Sequence, residues 1–150
     1  MAFLKFTADK TVKRLRWVMV GTILFDKLDT LLGQPGGYWQ HPQAADEINR
    51  GWHYALSRSL PFYCLISLVT ILILVLIVSV VPRRIALVAM LTAILNHFFG
   101  ASFWLCYRFH FGTAGPLIYG IILSVILTLL VFPTVCKASP DTVLSREPDA

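Results

Sequence analysis

The sequence predicts an all-α integral membrane protein, a bundle of four transmembrane helices. Three observations carry that expectation. The 150-residue chain is 57% hydrophobic and only 14% charged, against roughly 45–50% and 25% in a soluble domain. The apolar excess is gathered into uncharged runs at residues 62–81, 85–107 and 112–132, each near the ~20 residues that cross about 30 Å of hydrocarbon. Lysine and arginine are shared unequally between the two ends of those runs.

Residues 1–16 are polar and basic. Phe3, Leu4, Phe6 and Val12 among lysines suggest a short helix lying on the inner membrane surface. No small-residue cleavage site follows, so a signal peptide is not expected. Residues 17–33, WVMVGTILFDKLDTLLG, form the first span, apolar except for Asp26, Lys27 and Asp29. The loop GQPGGYWQHPQ follows, with glycine and proline for a turn and Tyr38-Trp39 for the outer interface. Residues 44–59 then read as an amphipathic helix on the outer surface. Ile48, Trp52, Ala55 and Leu56 make an apolar stripe closing on Ser59, and Glu47 and Arg50 can pair on another face.

The second span, 62–81, lies between Pro61 and Pro82 and has only Cys64, Ser67, Thr70 and Ser79 as polar residues, so it is expected to face lipid. In the third, 85–107, Ala89, Ala93, His97 and Ala101 recur every four residues, with Asn96 and Gly100 alongside. The fourth, 112–132, has a stripe of Gly112, Pro116, Gly120, Ser124 and Thr128. Small residues mark close helix–helix approach. These faces suit packing within the bundle, between copies of a homo-oligomer, or against a membrane partner subunit.

Orientation follows from the basic residues. Lys5, Lys10, Lys13, Arg14, Arg16, Arg83, Arg84, Lys137 and Arg146 fall on one side, and Arg50, Arg58 and Arg108 on the other. The positive-inside rule puts both termini in the cytoplasm, with 1–16 and 133–150 as cytoplasmic tails of a single transmembrane domain. The net charge of +5 is then a topology signal and an attraction to anionic lipid headgroups. It does not point to nucleic acid. Cys64 and Cys106 share a layer near the outer ends of their spans, and Cys136 lies at the inner boundary. No C-x-x-C spacing supports a zinc or dithiol motif, and separate buried thiols are favoured over a Cys64–Cys106 bridge.

The functional lead is the charge inside the first span. An ionisable group at mid-membrane costs several kcal/mol, roughly 2.5 or more, and marks a protein interior or a wet cavity. Asp26 and Asp29 are three residues apart and share a helix face. Counted from the inner boundary, Asp26, Asp29, Asn96 and His97 all lie about 14–18 Å deep. Thr22 and Thr30 flank Asp26. Lys27 is near the outer end and is expected to snorkel to the interface.

Two carboxylates and an imidazole can bind a divalent metal, with Asp26, Asp29, His97 and Asn96 as ligands and His53 and Glu47 as secondary candidates above. They can instead exchange a proton, or pin two helices together by hydrogen bonds. Three functions follow: a buried polar site taking a cation or proton from the outer side, a structural or accessory subunit of a membrane complex, and a metal-dependent membrane enzyme. The outer histidines His41, His53 and His110 show no H-E-x-x-H or comparable zinc signature. Phosphate-loop, serine-triad and lipidation patterns are absent, and no histidine pair at matching depth suggests haem.

Asp26…Asp29-Thr30, Gly33-Gln34-Pro35, Tyr38-Trp39, Glu47 with Asn49, and Asn96-His97-x-x-Gly100-Ala101-Ser102-x-Trp104-Leu105 resemble small uncharacterised bacterial membrane proteins of about four spans. The resemblance covers roughly residues 20–105. It implies that these positions form one unit; the expected location is a bacterial inner (plasma) membrane. It implies no activity.

Overall fold

A computed structural model describes residues 10–131, and every regular element among them is helical. The helices are α1 (Lys10–Leu32), α2 (Arg50–Arg58), α3 (Leu60–Val80), α4 (Arg83–Tyr107) and α5 (Ala114–Val131), with 3-10 turns at Gly36–Trp39 and Pro42–Ala44 between α1 and α2. Two of them, α3 and α4, are long and apolar enough to cross a membrane, while α5 carries a shorter apolar stretch, Ala114–Leu129. The surface helix expected near the N-terminus, Cys136 and the C-terminal tail lie mainly or wholly outside the described residues.

α1 begins seven residues earlier than the apolar run does, so Lys10–Arg16 is helix and not tail. It is the central element: it packs most extensively on α4 and also touches α5 and α3. Val12, Leu15, Met19 and Ile23 of α1 meet Met90 and Ile94 of α4, Ile71 and Val78 of α3 and Leu123 of α5 in one apolar core. That core fills the half of the bundle away from the α1–α2 loop. The least apolar of the long helices is thus the one most wrapped by others, as expected when its charges cannot face an apolar surround.

The helix ends follow local rules. α1 stops at Gly33, whose lack of a side chain lets it sit against Trp104: a Cβ there would lie 2.5 Å from the indole ring. α2 is shorter than the expected 44–59. Asn49 starts it by accepting from the backbone N–H groups of Gly51 and Trp52, because an asparagine oxygen satisfies the orphan amides of a first turn. Glu47 is therefore off the helix, and its Oε1 accepts from the Asn49 N–H at 2.9 Å instead of pairing with Arg50 across a helix face. Ser59, fully extended, ends α2 and caps α3 through Phe62 N–H, with Pro61 in the first turn. Pro82 separates α3 from α4.

α5 starts after a tight turn in which His110 and Gly112 have φ of 56° and 54°. Gly112 thus belongs to a left-handed turn and not to the small-residue stripe of the fourth span, because glycine reaches that conformation without steric cost. Ser124 and Thr128 face outward. Gly120 does meet a neighbour, since a Cβ there would contact the Phe98 ring at 3.4 Å. Cys64 and Cys106 are separate thiols, and Cys106 Sγ donates to the Gly112 carbonyl at 3.0 Å.

The outer faces of α3, α4 and α5 are covered by large apolar side chains, among them Leu68, Leu72, Leu76, Val88, Phe99, Leu117 and Ile121. Large exposed apolar surfaces mark contact with lipid or with a partner.

Candidate functional site

The site lies at the loop end of the bundle, between α1, α4 and the chain that returns over them. Asp26 points from α1 to α4 and is only 6% exposed. It fits there because α4 has Gly100 at the crossing, where any Cβ would collide with the Asp26 carboxylate. Asp26 Oδ2 lies 2.7 Å from His97 Nδ1 and 3.5 Å from Lys27 Nζ. With Asp26 ionised the carboxylate only accepts, and His97 Nδ1–H is then the donor.

Lys27 does not snorkel. It is 8% exposed, and its Nζ sits 3.6 Å from the centroid of the Trp52 ring. Helical spacing alone directs it away from Asp26, but α2 folds back over this end of α1 and turns the side chain into the space between α1, α2 and α4. The ammonium is offset by a carboxylate on one side and an aromatic face on the other, both of which attract a cation.

The returning chain is held by Gln34. Its amide nitrogen donates to the carbonyls of Thr30 and Asp46, each at 3.0 Å, and its oxygen accepts from the Asp46 N–H at 2.8 Å. Buried amides need all their hydrogen bonds made, and this one makes them by tying the loop to the end of α1. Asp46 then pairs with Arg108 Nη2 at 3.0 Å, joining the loop to the end of α4. A second apolar cluster, Tyr38, Ala45, Ala55, Leu56 and Tyr63, packs beneath it.

These elements enclose a cavity of about 710 Å³. Asp26, Lys27 and Thr30 line it from α1, residues Asp46, Glu47 and Asn49 from the loop, and Trp52 from α2. The α4 wall is Asn96, His97, Gly100, Phe103, Trp104 and Tyr107, with Arg108 at its end. Burial pushes the Glu47 carboxyl above its ordinary value, against the opposing pull of the Asn49 N–H and of Lys27. Burial also raises the Tyr38 phenol.

Of the residues singled out in the sequence, Asp26, Asn96, His97 and Glu47 come together on this cavity. Asp29 and His53 do not line it. Asp29 is equally buried, but one of its carboxylate oxygens has no hydrogen-bond partner. Of the two aspartates only Asp26 lines the cavity. Among the described residues no group of three or more His, Cys, Asp or Glu side chains is arranged to hold a metal ion. The divalent-metal expectation thus lacks support, because a stable site needs several ligands converging on one point. Lys27 and Trp52 are site residues to which local pattern assigns other roles, an interfacial lysine and an apolar stripe, while Gln34 and Trp104 enter only through the resemblance. Gln34 had a weak signal, a polar residue inside a Gly/Pro turn, but nothing local identified Asp46 as its partner.

Comparison with known protein families, curated proteins and solved structures finds no match to this chain.

Proposed function

We propose that α1, α3, α4 and α5 are the four spans of a small bacterial inner-membrane protein with both termini inside. Its cavity opens to the outer side and binds a proton or another cation, with His97 as the proton-accepting group and Asp26 as the residue that orients it. The 2.7 Å contact between His97 Nδ1 and Asp26 Oδ2 in the wall of the cavity carries this reading. The apolar outer surface and the segregation of basic residues support the membrane placement.

Magnitudes favour a site over a helix clamp. An interhelical polar contact in a membrane contributes on average about 0.6 kcal/mol and at most about 1.7. Burying an ion pair costs several kcal/mol per ion, and apolar side chains of similar volume do as well or better. A cluster of Asp26, His97 and Lys27 beside an open cavity is poor economy as a clamp alone. The apolar core around Met19, Ile23, Met90 and Ile94 seals the other half of the bundle, so access is from the loop end.

Proton titration of the purified protein tests this. Wild type should take up more proton on acidification than His97→Gln. Identical titration curves would sink the reading. Impermeant thiol labelling, with Cys64, Cys106 and Cys136 first replaced by Ser, tests the topology: His41→Cys should react from outside intact cells, and Arg84→Cys should not.

A further inference from the structure

The cavity is much larger than a proton or an inorganic ion requires. At about 710 Å³ it falls in the range of roughly 300–1,000 Å³ that holds small organic ligands. Its lining also has a definite charge pattern. Three carboxylates, Asp26, Asp46 and Glu47, face two basic side chains, Lys27 and Arg108. Both cations are already paired, Lys27 with Asp26 and Arg108 with Asp46. Glu47 forms no ion pair among the described residues, and what its carboxylate meets is backbone N–H, that of Asn49 at 2.9 Å. The charge left over is negative.

The rest of the wall is aromatic: Trp52, Phe103, Trp104 and Tyr107. Ring faces attract ammonium groups electrostatically, and aromatic walls are a known way to hold alkylammonium ligands. The protein already seats one ammonium this way, that of Lys27 on Trp52. An anionic ligand has to compete with Asp26 for Lys27 or with Asp46 for Arg108, and must approach Glu47. On the α4 side Phe103 and Tyr107 are 38% and 67% exposed, so the cavity continues onto the apolar flank of the bundle, where the hydrocarbon part of a ligand can lie.

We propose that the cavity binds an organic cation, an ammonium group carrying an apolar body, with Glu47 as counter-ion and the α4 aromatic residues as its bed. This rests on reading the cavity as the functional centre and specifies which cation it takes.

The test uses the full-length protein in detergent, with benzyltrimethylammonium as probe and quenching of tryptophan fluorescence as readout. Neopentylbenzene, the neutral isostere, and benzenesulfonate, an anion, serve as comparisons. The cation should bind saturably, and the neutral and anionic probes at least roughly tenfold more weakly. Glu47→Gln, outside the long helices, should weaken the cation by roughly tenfold and leave the neutral probe unchanged, with helical circular dichroism retained. Tyr107→Leu should weaken the cation by a smaller factor. Equal or tighter binding of the anion, no saturable cation binding, or a Glu47→Gln variant with unaltered cation affinity would each overturn the proposal. Loss of cation binding with the His97-dependent proton uptake intact rejects the organic cation alone. Cation binding without that uptake rejects the proton reading alone.

Discussion

Asp26 on α1 and His97 on α4 meet at 2.7 Å across the helix pair that forms the centre of the bundle. The contact exists because Gly100, one turn from His97, leaves room for the carboxylate. A buried carboxylate, an imidazole and a glycine thus form one geometric unit, and each constrains the others.

Gly100→Ala should be costly. Its methyl group would overlap the Asp26 carboxylate, and forced overpacking typically costs about 1–3 kcal/mol. Gly21→Ala on α1 is the control, since nothing lies within 4 Å of a Cβ there. Removing a helical glycine should stabilise by up to about 1 kcal/mol. Thermal unfolding in detergent should place the two variants on opposite sides of wild type.

The two aspartates should respond differently to amide substitution. Asp26→Asn removes the charge that both His97 and Lys27 face and leaves Lys27 buried without its counter-ion. A loss of about 1–3 kcal/mol is expected. Asp29 has an unpartnered buried oxygen, so Asp29→Asn should change stability by less than about 0.5 kcal/mol or raise it. Greater damage from Asp29→Asn in the same unfolding assay would contradict this assignment.

Gln34→Leu should loosen the cavity wall without unfolding the bundle. It deletes three hydrogen bonds between the end of α1 and the loop, each contributing about 1 kcal/mol. Amide exchange should accelerate at residues 45–49 and remain slow in α3 and α4. Uniform acceleration throughout would mean that the loop is integral to global stability.

Glu47 predicts a pH slope. Burial raises its carboxyl above the ordinary 4.5, so the folded state holds the proton more tightly than the unfolded state. The stability this contributes is complete below 4.5 and is lost as pH rises through the folded value. Glu47→Gln cannot lose a proton there. It should therefore gain on wild type as pH rises above 4.5, and the two melting-temperature profiles should diverge on the alkaline side. Parallel profiles across that window would rule out a raised Glu47.

Much of the helical framework was legible in local patterns. The uncharged runs between Pro61 and Pro82 and after Arg84 correspond closely to α3 and α4, because a long apolar run has few alternatives to helix. The start of α1 was hidden, since Lys10–Arg16 continues the helix with polar residues that carry no apolar signal. The apolar stripe of the outer connector predicts a longer helix, 44–59, than the Arg50–Arg58 that forms. Capping by Asn49 decides its start, and that cap competes with any helical role for Glu47. Gly112 was assigned to a stripe by spacing alone, while its positive φ makes it a turn residue.

The sequence by itself determined the helices, their apolar faces and the presence of charges within the first long one, because composition and periodicity act locally. Which charges meet was decided by tertiary structure. Asp26 and Asp29 share a helix face, yet only Asp26 faces the cavity, where Gly100 admits it and His97 receives it. Lys27 became part of the site when α2 folded over it and set Trp52 beneath its ammonium. Residues 26, 52 and 97 are distant along the chain, and their proximity depends on helix packing and on the loop tied down by Gln34, which no local pattern encodes.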